Sequence, residues 1–335
     1  MVKNIAASVK RRLLNQARET GGDFNQLLDR YTRERFLYRL SQSELADKFV
    51  LKGASVFQVW LGNPHRTTRD IDLLAFGSNN PQEVESRFKT ILQQNYDDGI
   101  EFTEVKSSVL QAGQKYEGVR LDVAGKMDTA KLSLQVDVGY GHTVTPKARL
   151  QEIPTLLDLP SPKMLIYPQE TVVAEKFQAM VERGLSNSRV KDYFDLYYLR
   201  ENMDFEGEQL RQAIKNTFKQ RGTSLSFDSY PVGLTQEYVA ANPNREKQWQ
   251  RINKQSIIAD YPSLREVIPK IAEFIMPVAR EAKRKDDFIH DWKAGLGWQP
   301  ELAIDFDLLA RQRLKQFPTD EIENSKPDKG RDIEL

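Results

Sequence analysis

The sequence predicts an α+β protein, with a sheet that follows a helical prelude and precedes a larger helical half. Three observations carry this. Apolar residues recur at helical spacing over residues 4–48 and again from residue 170 onward. Between them, residues 101–107, 116–123 and 132–138 read as strands, the last alternating apolar and polar side chains. The stretch 49–76, FVLKGASVFQVWLGNPHRTTRDIDLLAF, joins the helical prelude to those strands and ends on a second alternating run.

In order, Ile5, Val9, Leu13 and Leu14 mark a first helix. Phe24, Leu27, Leu28, Tyr31, Phe36 and Leu40 mark a second after the Gly21-Gly22 break. Ser41 with Glu44 has the form of a capping box and predicts a further short helix. An apolar run then ends at Gly53, and residues 55–60 form a short amphipathic segment before a Gly62-Asn63-Pro64 turn. After a turn at 77–81, Val84, Phe88, Ile91 and Leu92 predict an amphipathic helix, and the three strand-like runs follow. Residues 154–168 form a Pro- and Leu-rich connector with a short strand at 164–167. Helices are expected at 170–184, with Gly184 as the stop, and at 189–200, with Ser188 as N-cap. Others are expected at 210–218, 236–252 and 264–280. Residues 288–298 read as irregular and aromatic and 308–317 as a last helix, and the charged tail is expected to be disordered. The expected units are a helical segment 1–48, a sheet domain 49–160, a helical domain 161–285 and a terminal region 286–335.

Composition narrows the chemistry. At 335 residues the chain has room for about two domains of ~150 residues. With 39% hydrophobic and 29% charged residues it can bury an ordinary core. The net charge is +1, so a basic patch has to be local. There is no cysteine, which excludes disulfides, thiolate zinc sites and cysteine nucleophiles and is compatible with a reducing compartment. Three histidines are too scattered for a histidine metal cluster. The N-terminus lacks the apolar core of a signal peptide, and no apolar run approaches the ~20 residues of a membrane span. A cytoplasmic location without a membrane partner is the expectation.

The sharpest chemical signal is Asp70-Ile71-Asp72-Leu73-Leu74. On a strand, residues two apart point the same way, about 7 Å apart, so Ile71 and Leu73 enter the core while both carboxylates share the other face. Paired carboxylates repel and favour a cation, and oxygen ligands suit Mg²⁺. A D-x-D alone more often marks a solvated edge. The Gly53-Ala54-Ser55 turn nearby strengthens the metal reading, because it allows close backbone approach to phosphate. Asp137, at a strand end before Gly139 and Gly141, is placed to be a third carboxylate.

The helical half offers a second group. Lys176 lies on or beside the stripe formed by Val173, Phe177, Met180 and Val181, so it either snorkels or points its ammonium into a site. Asp192 and Asp195 share a helix face, and Arg189 and Lys191 sit among them near the helix start, where cations are unfavourable unless they meet negative charge.

Together these motifs resemble the AbiEii/AbiGii toxin family. The resemblance is carried by Leu51-Lys52-Gly53-Ala54-Ser55, then Arg66-x-Thr68-Arg69-Asp70-Ile71-Asp72, then Gln135-Val136-Asp137-Val138-Gly139-Tyr140-Gly141 with Thr145-Pro146. It continues in Tyr167-Pro168-x-Glu170-Thr171-Val172-Val173-Ala174-Glu175-Lys176 and in Asn187-Ser188-Arg189-x-Lys191-Asp192-x-x-Asp195-Leu196. It covers residues 45–275 approximately. Such proteins are nucleotidyltransferases of the DNA polymerase β-like superfamily and toxins of type IV toxin–antitoxin systems.

The resemblance implies a mixed nucleotidyltransferase sheet, with Asp70 and Asp72 holding Mg²⁺ and Asp137 as third carboxylate near the attacking hydroxyl. Gly53 and Ser55 would form the phosphate-facing turn. Lys176 would meet the nucleotide phosphates and Asp192 would be the essential acid of the last motif. Arg66, Thr68 and Arg189 complete the expected nucleotide site. Many relatives have a second glycine where this chain has Ala54, while Ser55 keeps the hydroxyl. The expected activity is Mg²⁺-dependent transfer of a nucleoside monophosphate from an NTP to the tRNA acceptor end, with an antitoxin as partner. RNA is expected along Arg66, Arg69, Arg189 and Lys191. The alternatives are a protein acceptor, as in AMPylation, and a non-catalytic binding protein on a decayed transferase fold.

Overall fold

The structure is a computed structural model that describes residues 4–62, 65–110, 118–141, 144–256, 261–284 and 287–300. The expected Asn63-Pro64 corner, the helix at 308–317 and the charged tail lie outside these residues.

Two helices open the chain, α1 (Ile5–Thr20) and α2 (Phe24–Ser41), divided at Gly21 as the periodicity predicts. The short helix expected from Ser41 and Glu44 does not form. The Ser41 hydroxyl instead donates back to the Tyr38 carbonyl (2.8 Å) and closes α2, leaving a three-residue 3-10 turn at Ala46–Lys48. One side of α2 is polar yet buried. Arg39 pairs with Asp98 (2.6 and 3.1 Å), Arg35 donates to the Pro160 carbonyl (2.7 Å), and Glu34 accepts from the Leu156 amide (2.9 Å). Buried charges persist only with partners, and these partners tie two long loops to the helix.

The strands are β1 (Phe49–Lys52), β2 (Ile71–Ala75), β3 (Glu101–Leu110), β4 (Gly118–Met127), β5 (Ala130–Tyr140), β6 (Arg149–Glu152) and β7 (Lys163–Ile166). They form one seven-stranded sheet in the order β3-β4-β5-β2-β1-β7-β6. The sheet is mixed: β1 with β7 and β2 with β5 are parallel, and the other neighbours are antiparallel. The connector strand β7 lies beyond the sheet boundary expected at residue 160 but pairs with β1, so the sheet draws on the segment assigned to the helical half. The described residues up to Gln299 form one compact unit.

Alternation sorts the two faces. Leu51, Ile71, Leu73, Val136 and Val138 are fully buried on the face that meets α2 and α4 (Pro81–Leu92). There Phe36 stacks on Phe88 (5.7 Å between ring centres) and Phe49 meets Phe88 edge-on (5.3 Å). Lys52, Asp72 and Asp137 take the opposite face.

The helical half comprises α5 (Gln169–Arg183), α6 (Val190–Asn202), α7 (Gly207–Arg221), α8 (Gln236–Ala240), α9 (Asn244–Gln255) and α10 (Leu264–Glu281), after the earlier short α3 (Val56–Leu61). The single helix expected over 236–252 is two, α8 and α9, because Pro243 has no amide to continue the first. At the start of α6 the accepting side chain is Asn187, bonded to the Arg189 amide (3.1 Å), rather than the expected Ser188. The segment expected to be irregular at 288–298 contains a hairpin, β8 (His290–Lys293) with β9 (Gly297–Pro300). Trp292 anchors it against Phe274 (4.8 Å).

Candidate active site

Strand register builds the sheet wall. Lys52 and Asp72 are partners across antiparallel β1 and β2, and Asp72 and Asp137 are partners across parallel β2 and β5. Partners in register project to the same face, so a lysine and two carboxylates stand side by side. Asp70, expected on the strand with Asp72, instead lies one residue before β2, which begins at Ile71, and is exposed. Gly53 follows β1 with φ +68, and a β-carbon there would lie 2.0 Å from Asp72 Oδ2 and 2.7 Å from its Cγ. Both the left-handed backbone and the missing side chain are needed for Asp72 to sit where it does. Burial raises the Asp72 carboxyl above the ordinary aspartate range. Lys52 pulls it down, while Asp137 and Asp70 push it further up. Asp137 is gripped by Arg120 of β4, which donates Nε to Oδ1 (2.8 Å) and Nη2 to Oδ2 (2.9 Å).

The helical wall is organised around Asp195, which is fully buried. It accepts from His65 Nε2 (2.7 Å), Arg66 Nε (2.7 Å), Arg66 Nη2 (2.9 Å) and Lys176 Nζ (2.8 Å). Burial alone would raise this carboxyl, but Arg66 and Lys176 outweigh it and hold it well below the usual range. Lys176 also donates to Asp192 Oδ1 (2.5 Å). Burial would lower its ammonium, and Asp192 and Asp195 raise it instead, so it stays charged. The lysine therefore neither snorkels nor hangs loose in the cleft: two of its three N–H groups are committed. His65 is pulled down by burial in spite of Asp195. It is a neutral imidazole stacked on Phe57 (3.8 Å) that donates through Nε2.

Between the walls lies a cleft of about 650 Å³. Gly53, Arg66, Thr68, Asp70, Asp72, Lys176, Arg189 and Asp192 all line it, so the structure gathers most of the residues singled out from sequence. Ser55 does not line it. Asp137 lines an adjoining cavity of about 830 Å³ that shares Asp72 with the first. Basic side chains outnumber acidic ones in the cleft by seven to four, although the whole chain is nearly neutral. Arg66 and Lys176, expected as phosphate ligands, are both spoken for by Asp195. Among the described residues, Lys52, Arg189, Lys191 and Arg251 line the cleft without an ion pair.

No three His, Asp or Glu side chains among the described residues converge tightly enough to hold an ion alone. The donor set, Asp70 and Asp72 with Asp137 beside them, is all carboxylate oxygen. It fits a hard divalent ion that keeps water or phosphate oxygens among its ligands, as Mg²⁺ does.

Sequence reasoning did not single out Lys52, Arg120, Glu175, Arg221 or Arg251. Glu175 accepts from Arg221 (3.2 Å) and from the Tyr167 hydroxyl (3.3 Å). Lys52 had a readable signal, since it is the one charged residue closing an apolar run immediately before Gly53. Arg120 had none without the β4–β5 register.

A family-wide sequence profile, the nucleotidyl transferase AbiEii toxin of type IV toxin–antitoxin systems, matches residues 35–269. No curated protein matches. Two crystal structures from Helicobacter pylori align with the chain. JHP933 is 16% identical, covers 77% of this chain and 93% of its own, and gives a TM-score of 0.45. A candidate nucleotidyltransferase is also 16% identical, covers 76% of this chain and 95% of its own, and gives 0.41. No helix among the described residues is long and apolar enough to cross a membrane. The profile runs from within α2 to within α10 and so takes in the sheet face, the Gly53 turn and the Asp195 cluster; the chain belongs to the AbiEii family, nucleotidyltransferases that are the toxins of type IV toxin–antitoxin systems.

Proposed function

We propose that the protein transfers a nucleoside monophosphate from an NTP to the acceptor end of tRNA in the cytoplasm, that it depends on Mg²⁺, and that a separate antitoxin protein opposes it. The observation that carries this reading is the division of the cleft: carboxylates rise from the sheet, and uncommitted cations face them from the helices. Transfer of this kind needs positioning and charge neutralisation more than covalent help.

Bound by Asp70 and Asp72 with Asp137 alongside, Mg²⁺ would neutralise phosphate charge and acidify the acceptor hydroxyl. Lys52, Arg189, Lys191 and Arg251 receive the triphosphate through charge-assisted hydrogen bonds. Lys176 has one N–H left for a phosphate oxygen, and Asp195 fixes its position along with that of Arg66. Gly53 gives phosphate close access to the backbone, and Thr68 offers a hydroxyl on the same wall. Asp192 holds the Lys176 ammonium at the cleft edge. The acceptor oxygen forms a bond to the α-phosphorus, the bond from that phosphorus to the bridging oxygen breaks, and pyrophosphate leaves with the electron pair. The hydroxyl proton passes to Asp137, which Arg120 orients, and then to solvent.

The test is incubation with each labelled NTP, total RNA and a protein extract, with Mg²⁺ or with EDTA. Label in the tRNA fraction that disappears with EDTA is the expected result. Label in protein alone would replace this reading with protein modification, and no label from any NTP would point to a decayed transferase.

A further inference from the structure

The two cavities share Lys52, Asp72, Glu175, Arg189 and Arg221 but divide other groups. Asp70, Lys176 and Asp192 line only the first, and Asp137 and Arg120 only the second. The cations without an ion pair among the described residues divide too. Lys191 and Arg251 belong to the first cavity, Lys52 and Arg189 to both, and Arg183 to the second. A triphosphate carries the greater charge and matches the first. In the second, apart from Asp72, every carboxylate has a partner: Arg120 holds Asp137, Arg221 holds Glu175 (3.2 Å), and Gln178 donates to Glu182 (2.6 Å). Glu182 keeps its charge, since Gln178 is neutral, but five basic side chains against four acidic leave the cavity net positive, and Arg183, exposed at the end of α5, and Arg189 have no ion pair among the described residues.

The floor of the second cavity has an opening at Gly139. Asp137 and Gly139 fall on one face of β5, so the strand raises no side chain next to the carboxylate; past the strand end, Leu74 Cδ1 lies 3.0 Å from where a Gly141 β-carbon would be. A β-carbon at Gly139 would lie 3.3 Å from the movable Lys52 Nζ and in ordinary contact, 3.8 Å, with the Leu73 carbonyl oxygen and Lys52 Cε. Glycine within a strand leaves room for a ligand against the backbone. Asn216, donating to the Thr145 hydroxyl (3.0 Å), adds uncharged polar groups to the wall.

We propose that the second cavity is the acceptor site and takes the terminal nucleotide of an RNA strand, with its free hydroxyl at Asp137, its sugar over Gly139 and its phosphodiester at Arg183. This rests on the transfer reading given above. A strand of RNA brings a phosphodiester with each nucleotide, whereas a protein hydroxyl brings none to answer Arg183 and Arg189. The assignment moves RNA away from Arg66 and Lys191 and toward the far side of Asp72.

Initial-rate kinetics with labelled NTP and total tRNA test it, with the KM for RNA and the KM for NTP measured separately. Arg183→Glu is expected to raise the RNA KM about tenfold, the size of a lost charge-assisted contact, and to leave the NTP KM as it was. It should also flatten the log–log salt dependence of the RNA KM by about 0.7, one phosphate's share for a single strand. Gly139→Val, which fills the floor, should raise the RNA KM as well. Lys191→Glu should do the reverse and raise the NTP KM. If tRNA is labelled but Arg183→Glu and Gly139→Val leave its KM unchanged, the acceptor assignment falls and the transfer reading stands. If only protein is labelled, both fall.

Discussion

Asp72 lines the sheet wall of the cleft, Asp195 is buried behind the helical wall opposite, and the two meet opposite electrostatics. Around Asp72 the neighbours include two further carboxylates, and its proton is held more tightly than usual. Around Asp195 they are Arg66, Lys176 and His65, and its proton is lost far more readily than usual. Asp195 is satisfied by the cations that touch it, whereas at Asp72 the pull of Lys52 does not offset burial and the two neighbouring carboxylates. The difference separates an acid that builds the site from one proposed to work in it, although both occur in motifs of similar look.

The largest effect should come from removing the builder. Asp195→Ala leaves Arg66 and Lys176 buried without their acceptor, and loss of one side of a buried pair is expected to cost about 3–5 kcal/mol. Urea denaturation measures this, and an unchanged midpoint would erase the distinction between the two acids. Asp72→Asn should behave in the opposite way. Transfer should fall by at least ~10²-fold, as when a preorganised charge stabiliser is removed, while the melting temperature holds or rises slightly. Full activity in that variant would remove the metal from the proposed chemistry.

Lys176 and Arg251 sharpen the contrast on the helical wall. Lys176→Met keeps the apolar stem but strips a donor from both Asp192 and Asp195, so it should weaken the fold as well as NTP binding. Arg251→Ala touches no ion pair among the described residues, so it should weaken NTP binding about tenfold, equivalent to ~1.5 kcal/mol, without shifting the melt. Thermal melts beside nucleotide titrations separate the two; equal stability losses would show that Arg251 is structural.

The smallest effect concerns pH. The folded pKa of His65 lies below its unfolded value, so the unfolded chain binds more protons and stability falls as pH drops through about 6.5. His65→Gln, which can still donate to Asp195, should flatten that slope in melts between pH 5 and 7. The Asp195 contribution has the other window: its depressed pKa keeps it present above the unfolded aspartate value of about 3.9, and it is lost as pH falls through the folded value. A slope at pH 6 that survives in His65→Gln would locate the titrating group elsewhere.

The sheet wall was largely legible in the sequence. The alternation through Ile71, Asp72 and Leu73 and from Leu132 to Val138 reports which face each carboxylate takes, because strand period is a local property. The helical wall was legible only in part. Asp195 meets His65 and Arg66 across separations of about 130 residues, and no local pattern says which of Asp192 and Asp195 is the hub. The Arg120 grip on Asp137 depends on β-register in the same way. The hairpin of β8 and β9 escaped for a different reason: four-residue strands reading His-Asp-Trp-Lys and Gly-Trp-Gln-Pro are too short to carry a readable alternation, and Trp292 is held by distant Phe274.

The close approach of Gly53 to Asp72 makes possible a control that charge substitutions cannot provide. Since Asp72 Oδ2 occupies the space of a residue-53 β-carbon, G53A displaces the Asp72 carboxylate with a single methyl group and removes no ionisable group from the chain. Its surface would present the same charges to RNA and to an antitoxin as the wild type does. Growth of cells expressing one or the other would then distinguish poisoning by catalysis from poisoning by sequestration, a distinction blurred by any variant that deletes a carboxylate.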